Sequence, residues 1–353
     1  MPAVELPAYR GASVTVRLIN TGSNIICTTK TCCQPRIKGH EVLNLPTVAF
    51  LVEHAPSSTK VLFDGGVRKG FQNFSPAGMR QLNKCVPDMH VPYDIRDVMD
   101  RTGHSMDNLS WPIRRDSPLL QRDFEGKKLR ELTFETDIQI GGFRAFDFWG
   151  DGSFYLLDTP GHSIGHICGL ARTNEADWIF FGGYICHFAG SFRPTQDVPM
   201  PDPLPSDVQL HSHLPRPCPA SIFTCCHPAG EEAGKKEPYY TVAKYDNTIY
   251  VDPELADKSI ALLANFDASP NVLVAIAHDP AIAAFLPCID QPGNEQSDIG
   301  GWRAAGFKAK CHWDFLNELP QDGMPGKSKL VEGYNCAGNE YFYDLENMML
   351  YLK

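Results

Sequence analysis

The chain has 353 residues, 43% of them hydrophobic and 21% charged, which excludes wholesale disorder, collagen and coiled coil. Its 32 Lys and Arg against 42 Asp and Glu leave a net charge of −10 with no basic run, so neither nucleic acid nor an anionic membrane is an expected partner. The N-terminus has no basic start followed by an apolar core, and no apolar stretch reaches the roughly 20 residues of a membrane span.

Short β-type runs bounded by Gly, Pro or Ser fill the first half: Ser13–Asn20, Pro46–His54 and Lys60–Gly66. A helix is expected near Tyr93–Thr102. Strands are expected again at Leu129–Thr136, Phe143–Trp149, Ser153–Thr159, His166–Arg172 and Trp178–Gly183. Met200–Pro219 is proline-rich and reads as a stretch winding over the surface. Asp252 has the chemistry of an N-cap with Pro253 in the first helical position, and Ala256, Ile260, Leu263 and Ala264 give that helix an apolar face. Asn271–Ala277 is a continuous apolar run, as in a buried strand, ending at His278–Asp279. PAIAAFL and HWDFLNEL read as short terminal helices. Early strands with later interleaved helices predict a layered α/β or α+β sandwich, with its chemistry on loops at strand ends. The 12 cysteines form no C-x-x-C pair, and without a secretory signal they read as reduced thiols of a cytoplasmic protein.

Chemistry concentrates in LLDTPGHSIGHICGLAR, Leu156–Arg172. A strand ends at Asp158–Thr159, turns through Pro160–Gly161 and presents His162 toward a cleft; His166 follows where the next strand begins. Taken alone, the two histidines are more readily read as turn residues with ordinary hydrogen bonds.

Four segments fall in one order: LVEH with KVLFDGG, then DTPGHSIGH, then FFGGYICH, then VLVAIAHD. That order resembles the metallo-β-lactamase superfamily, in particular its lactonase-like and fungal members, from about Val14 to about Leu319. The resemblance implies a single domain over 1–353, an αββα four-layer sandwich. It also implies a two-metal site, usually zinc, whose hydroxide attacks a lactone, thioester, amide or related ester. His162 matches the family's histidine ligand after the Thr-Pro-Gly turn, and His278 matches the late histidine at a strand end. Asp64 and Asp158 match strand-end positions that support the ligands, although an Asp before Gly-Gly is as readily a plain turn former.

Two departures stand out. Tyr184 occupies the place of the family's bridging aspartate, and a phenol is a poor bridging anion. The family's H-x-H-x-D-H loop has no counterpart between Gly66 and Asp158, where only His90 and His104 occur. The pattern jumps within Asn108–Leu120, near Ser110–Trp111, so one sheet edge is expected to be truncated, with Trp111 and Ile113 beside the gap. Either the protein has lost the loop or a splice junction is mis-drawn; Tyr184 favours real loss. The H-x-H at His211–His213 lies in the wrong order and reads as a surface turn, whereas His187 and the Cys226–His227 pair stand near matched segments.

The expected function is that of a metallo-β-lactamase-like protein of hydrolase ancestry acting on a small acyl compound, in secondary metabolism, with an incomplete zinc site. The alternative is a catalytically inactive module binding a small molecule or a protein. A metal-free enzyme would need a pair such as Cys168 with His166, or Cys186 with His187; both cysteines are better read as buried strand residues.

Overall fold

The computed structural model describes residues 4–70, 79, 82–83, 85–104, 109–110, 132–246, 248–326, 341–344 and 349–352. In chain order the strands are β1 (Thr15–Thr28), β2 (Cys33–Gln34), β3 (Val42–His54), β4 (Thr59–Phe63), β5 (Asp88–His90), β6 (Leu109–Ser110), β7 (Gln139–Ile140), β8 (Phe143–Asp147), β9 (Phe154–Asp158), β10 (Ile167–Arg172), β11 (Trp178–Gly183), β12 (Thr241–Val242), β13 (Val272–Ile276), β14 (Tyr341–Asp344) and β15 (Met349–Leu352). The helices used below are α1 (Thr29–Cys32), α2 (Ile95–Thr102), α3 (Pro253–Ala268), α4 (Pro280–Phe285) and α5 (Phe307–His312).

Five strands form one sheet in the order β5-β1-β3-β4-β6, and six form a second in the order β13-β11-β10-β9-β8-β7. Period-two alternation assigns their faces. Val48, Phe50 and Val52 of β3 point between the sheets and meet Ile179 and Phe181 of β11, where the rings of Phe50 and Phe181 stack at 4.4 Å. The intervening Ala49 and Leu51 face the other way, onto Ile95, Val98 and Met99 of α2. On β11, Trp178 and Phe180 turn outward to a core that contains Ile260, Leu263 and Phe266 of α3, with Phe180 and Phe266 4.8 Å apart. Helix, sheet, sheet and helix therefore stack in four layers, as the sequence led us to expect. The expected truncation beside Trp111 lies outside the described residues; β6, two residues long, pairs in parallel with β4 at that side of the sheet.

Capping follows the sequence. Asp252 Oδ1 accepts from the Leu255 amide at 2.9 Å with Pro253 in the first turn, and Asp94 and Asp97 form a reciprocal capping box on α2. Three expectations are corrected. Residues 132–135, within the expected strand Leu129–Thr136, pair with no strand; Leu132 and Phe134 rest on the inter-sheet core without a ladder, so their alternation reports burial alone. The proline-rich stretch is more than a surface winding, because Met200, Leu204, Val208, Leu210, Leu214 and Cys218 are buried in the core. HWDFLNEL is divided between the end of α5 and a 3-10 turn at Asp314–Glu318.

Candidate active site

Strands β11 and β13 run parallel, and β9 and β11 both lie antiparallel to β10, so β9, β11 and β13 end at the same edge of the second sheet. The loops leaving those ends carry His162, Tyr184 with His187, and His278. In open mixed sheets this is where ligand-binding residues collect. The Pro160–Gly161 turn lies directly on the start of α3. The amides of Val251 and Asp252 donate to the carbonyls of His162 and Gly161 at 3.1 and 2.9 Å. Gly161 has φ +134, and a Cβ there would stand 2.4 Å from the Ala256 backbone, so only glycine lets the turn approach this closely.

Five rings meet at the strand ends. His162 lies parallel to Tyr184 (centroids 5.5 Å apart, 17°), 5.2 Å from His187 and edge-on to Tyr250 at 5.6 Å. His187 stacks with His278 at 5.4 Å, and Tyr184 meets His278 edge-on at 4.9 Å. His162 and Tyr184 are half-buried, whereas His187, His278 and Tyr250 are buried. The fold thus brings His162, Tyr184 and His278 together and adds His187 and Tyr250. Tyr250 gives no catalytic signal in the sequence; its one clue is its place two residues before the Asp252 cap.

Hydrogen bonds fix the tautomers. The Nδ1 of His278 donates to the Pro46 carbonyl at 3.0 Å, leaving Nε2 as an acceptor. The His187 Nδ1 lies 3.1 Å from the Tyr250 hydroxyl. His166 has both nitrogens committed: Nδ1 lies 3.1 Å from the Thr159 carbonyl, and Nε2 accepts the Tyr184 amide at 3.0 Å. It positions the backbone of Tyr184.

Burial, reinforced by the neighbouring imidazoles, holds His187 well below the ordinary histidine range; burial also lowers His278, against the opposing bond to Pro46. The nearby Asp64 charge and burial push the Tyr184 phenol well up, and burial does the same to Tyr250. His187 and His278 are therefore neutral imidazoles, and Tyr184 and Tyr250 protonated phenols, at pH 7. Asp64 holds a left-handed backbone (φ +67), and its Oδ1 accepts the amides of Gly65 and Gly66 at 2.6 and 2.9 Å; burial pushes its carboxyl up to about 6 against these bonds. It is at once the turn former and a charge felt at Tyr184. Asp158 is elsewhere engaged, in an ion pair with Arg144 on the adjoining strand.

Most of the remaining sequence candidates are tied up in structure. His104 Nε2 bonds the Glu295 carbonyl at 2.9 Å, and His90 is exposed at the end of β5. His213 bonds Gln321, and His227 bonds the Pro238 carbonyl. Cys168 is buried between the Thr159 hydroxyl and the Gly182 carbonyl, and burial raises the thiols of Cys168 and Cys186 far above their ordinary range, which disfavours either as a nucleophile.

A two-zinc centre does not fit these side chains. Tyr184, expected at the bridging position, is a phenol held protonated, and the sequence contains no H-x-H-x-D-H string. Among the described residues no group of three or more His, Cys, Asp or Glu is placed to hold a metal ion. Nor, among them, is any helix long and apolar enough to cross a membrane.

No protein-family profile matches the chain. It is 32% identical over 365 residues to a metallo-hydrolase, mfmC, of Annulohypoxylon moriforme, covering 90% of each chain. It is 26% identical to the gamma-lactamase FDB1 of Fusarium pseudograminearum, covering 95% of this chain and 90% of that one. Among solved structures, a quorum-quenching N-acyl homoserine lactone lactonase aligns over 79% of this chain and 98% of its own at 14% identity, with a TM-score of 0.45. The first of these relatives implies a metal cofactor for the family, in tension with the side chains just described. Near-complete alignment with a metallo-hydrolase, on an αββα sandwich with the Thr-Pro-Gly-His turn at the end of β9, shows that the chain belongs to the metallo-β-lactamase superfamily and has hydrolase ancestry.

Proposed function

We propose that the whole chain, as one domain, binds a small neutral acyl compound (a lactone, lactam or thioester) at the strand-end cluster, and that two-zinc hydrolysis there is curtailed. The observation that carries this reading is the pairing of opposite hydrogen-bonding roles without charge: Tyr184 is a protonated phenol able to donate, and His278 Nε2 is an acceptor. A carbonyl beside an N–H, as in a lactam, matches both members of the pair, a lactone or thioester carbonyl takes the Tyr184 donor alone, and the half-buried His162 and Tyr184 offer ring faces to the apolar part of either. Similarity to a fungal metallo-hydrolase and a fungal gamma-lactamase supports the acyl class and a place in secondary metabolism. Zinc, the family's usual metal, is a weak ligand of this set because the bridging anion is missing.

Calorimetric titration of a γ-lactone, a γ-lactam and an acyl thioester tests the reading, with and without added zinc. Expected is zinc-independent binding of at least one class, weakened about tenfold in Tyr184→Phe, as a lost hydrogen bond of roughly 1.4 kcal/mol requires. Two zincs per chain by elemental analysis, together with zinc-dependent turnover, would overturn it.

A further inference from the structure

The interior below the cluster holds thiols that the acyl-binding reading does not use. Cys27 lies near the end of β1 and Cys32 ends the single turn of α1. Their sulfurs are 3.5 Å apart, and both side chains are buried. The Thr31 hydroxyl touches both, 3.4 Å from the Cys27 sulfur and 3.8 Å from that of Cys32, and Cys85 is hydrogen-bonded to Cys27. Buried cysteines are ordinarily inert packing. Direct sulfur–sulfur contact within a five-residue span distinguishes this pair, because bond formation needs only that two side chains already in contact close on one another.

We propose that Cys27 and Cys32 form a reversible oxidation site, closed to a disulfide by a peroxide and reopened by a thiol reductant. In the forward direction the Cys27 sulfur attacks one peroxide oxygen. The O–O bond breaks, one water leaves, and Cys27 becomes a sulfenic acid. The Cys32 sulfur then attacks that sulfur; the S–O bond breaks, the S–S bond forms and a second water leaves. Two thiols supply two electrons and two protons, and one peroxide becomes two waters.

The site is mechanically joined to the cleft. The carbonyls of Thr31 and Cys32 accept the amides of Ile249 and Ala243 at 3.1 and 3.0 Å, and β2, which follows α1 directly, pairs with β12. The segment so held ends at Tyr250, whose hydroxyl lies 3.1 Å from His187. Drawing Cys32 onto Cys27 turns the end of α1 and loosens those two amides.

Lys30 lies between the two cysteines, so trypsin separates them and a disulfide rejoins the fragments. The full chain is treated with hydrogen peroxide, its remaining thiols are alkylated, and the tryptic digest is weighed. Expected is a linked pair of peptides containing Cys27 and Cys32 that dithiothreitol separates, that persists in Cys33→Ser, and that is lost in Cys32→Ser. Amide exchange at Ala243 and Ile249 should quicken on oxidation. Thermal melting of the reduced Cys32→Ser protein shows whether it is folded; if it is not, Cys27→Ser serves in its place. Linkage of Cys27 to Cys33 or Cys85 instead, or no linkage when the exposed Cys225 is fully oxidised, would overturn the site. Unchanged exchange at both amides would overturn its connection to the cleft.

Discussion

The carbonyl of Pro46, in β3, accepts the Nδ1 proton of His278 across 3.0 Å, so one sheet fixes the tautomer of a histidine at the end of a strand in the other. That bond prepares His278 as a neutral acceptor, as a metal ligand requires. A suitable histidine is insufficient by itself, because stripping water from a divalent ion must be offset by several ligands, at least one of them anionic in a bridged pair. The purified chain, desalted after exposure to zinc, is expected to retain less than one metal per molecule by elemental analysis.

Placing a carboxylate at residue 184 is a sharper experiment. Tyr184→Asp places an anion at the position expected from the sequence to bridge, but it also removes the ring stacked on His162 and leaves Asp64 beside a second negative charge. No zinc-dependent hydrolysis of a lactone or thioester panel is expected from this change alone. A clear zinc-dependent rate would show that the remaining ligands are adequate.

Much of this site was legible in the sequence, for local reasons. The Thr-Pro-Gly-His turn announces itself because Gly161 must let the chain pass against Ala256, and His278 stands at the end of an apolar run that can only be a buried strand. Tyr250 and the full role of His187 were not legible, since their meeting depends on the 243–250 segment hanging from the carbonyls of α1, which are far away in the chain. Leu132 and Phe134 misled for the converse reason: their alternation reports a buried face, and whether a partner strand lies beside them is tertiary information.

Gly161→Ala should be much more damaging than an ordinary glycine replacement. Gly150 also has a positive φ, +81, but nothing lies within 4 Å of a Cβ built there, whereas at Gly161 the obstacle is the Ala256 backbone at 2.4 Å. Backbone strain alone costs about 1–3 kcal/mol, and a backbone clash adds about 1–3 kcal/mol more. Urea unfolding should rank Gly150→Ala well above Gly161→Ala in stability, and equal losses would mean that the turn can shift off α3.

A buried ion pair anchors the end of α3. Arg193 donates from Nε and Nη2 to the two oxygens of Asp267 at 2.8 and 2.7 Å, with both side chains only 4% exposed. Burial alone would raise the Asp267 carboxyl, but the Arg193 charge outweighs it and holds the group well below the usual carboxylate range. Arg193→Met leaves that buried carboxylate with His312 Nδ1, 3.6 Å away, in place of a bidentate guanidinium, and should cost about 3–5 kcal/mol in urea unfolding. Arg193→Met with Asp267→Leu should recover most of the loss. A double variant no more stable than the single one would show that the Arg193 bond to the His312 carbonyl, at 3.2 Å, matters more than the charge pair.

Asp64 makes stability depend on pH in the sense opposite to Asp267. Its carboxyl is pushed from the ordinary 3.8 to about 6 by burial, so the folded chain holds a proton there that the unfolded chain has released. This contribution is fully present below pH 4 and is lost as pH rises through about 6. Asp279, also pushed up to about 6 by burial, acts in the same direction. Asp64→Asn keeps an Oδ1 to accept the Gly65 and Gly66 amides and tolerates the left-handed backbone, while removing the charge. The variant is expected to be more stable than the parent by about 1–2 kcal/mol at pH 7.5, to lose that advantage near pH 4, and to show a shallower slope between, with Asp279 supplying what remains. Chemical unfolding at intervals across that range measures it. A parent chain whose stability changes no more steeply than the variant's between pH 4 and 6 would mean that the Asp64 carboxylate is solvated and carries no penalty.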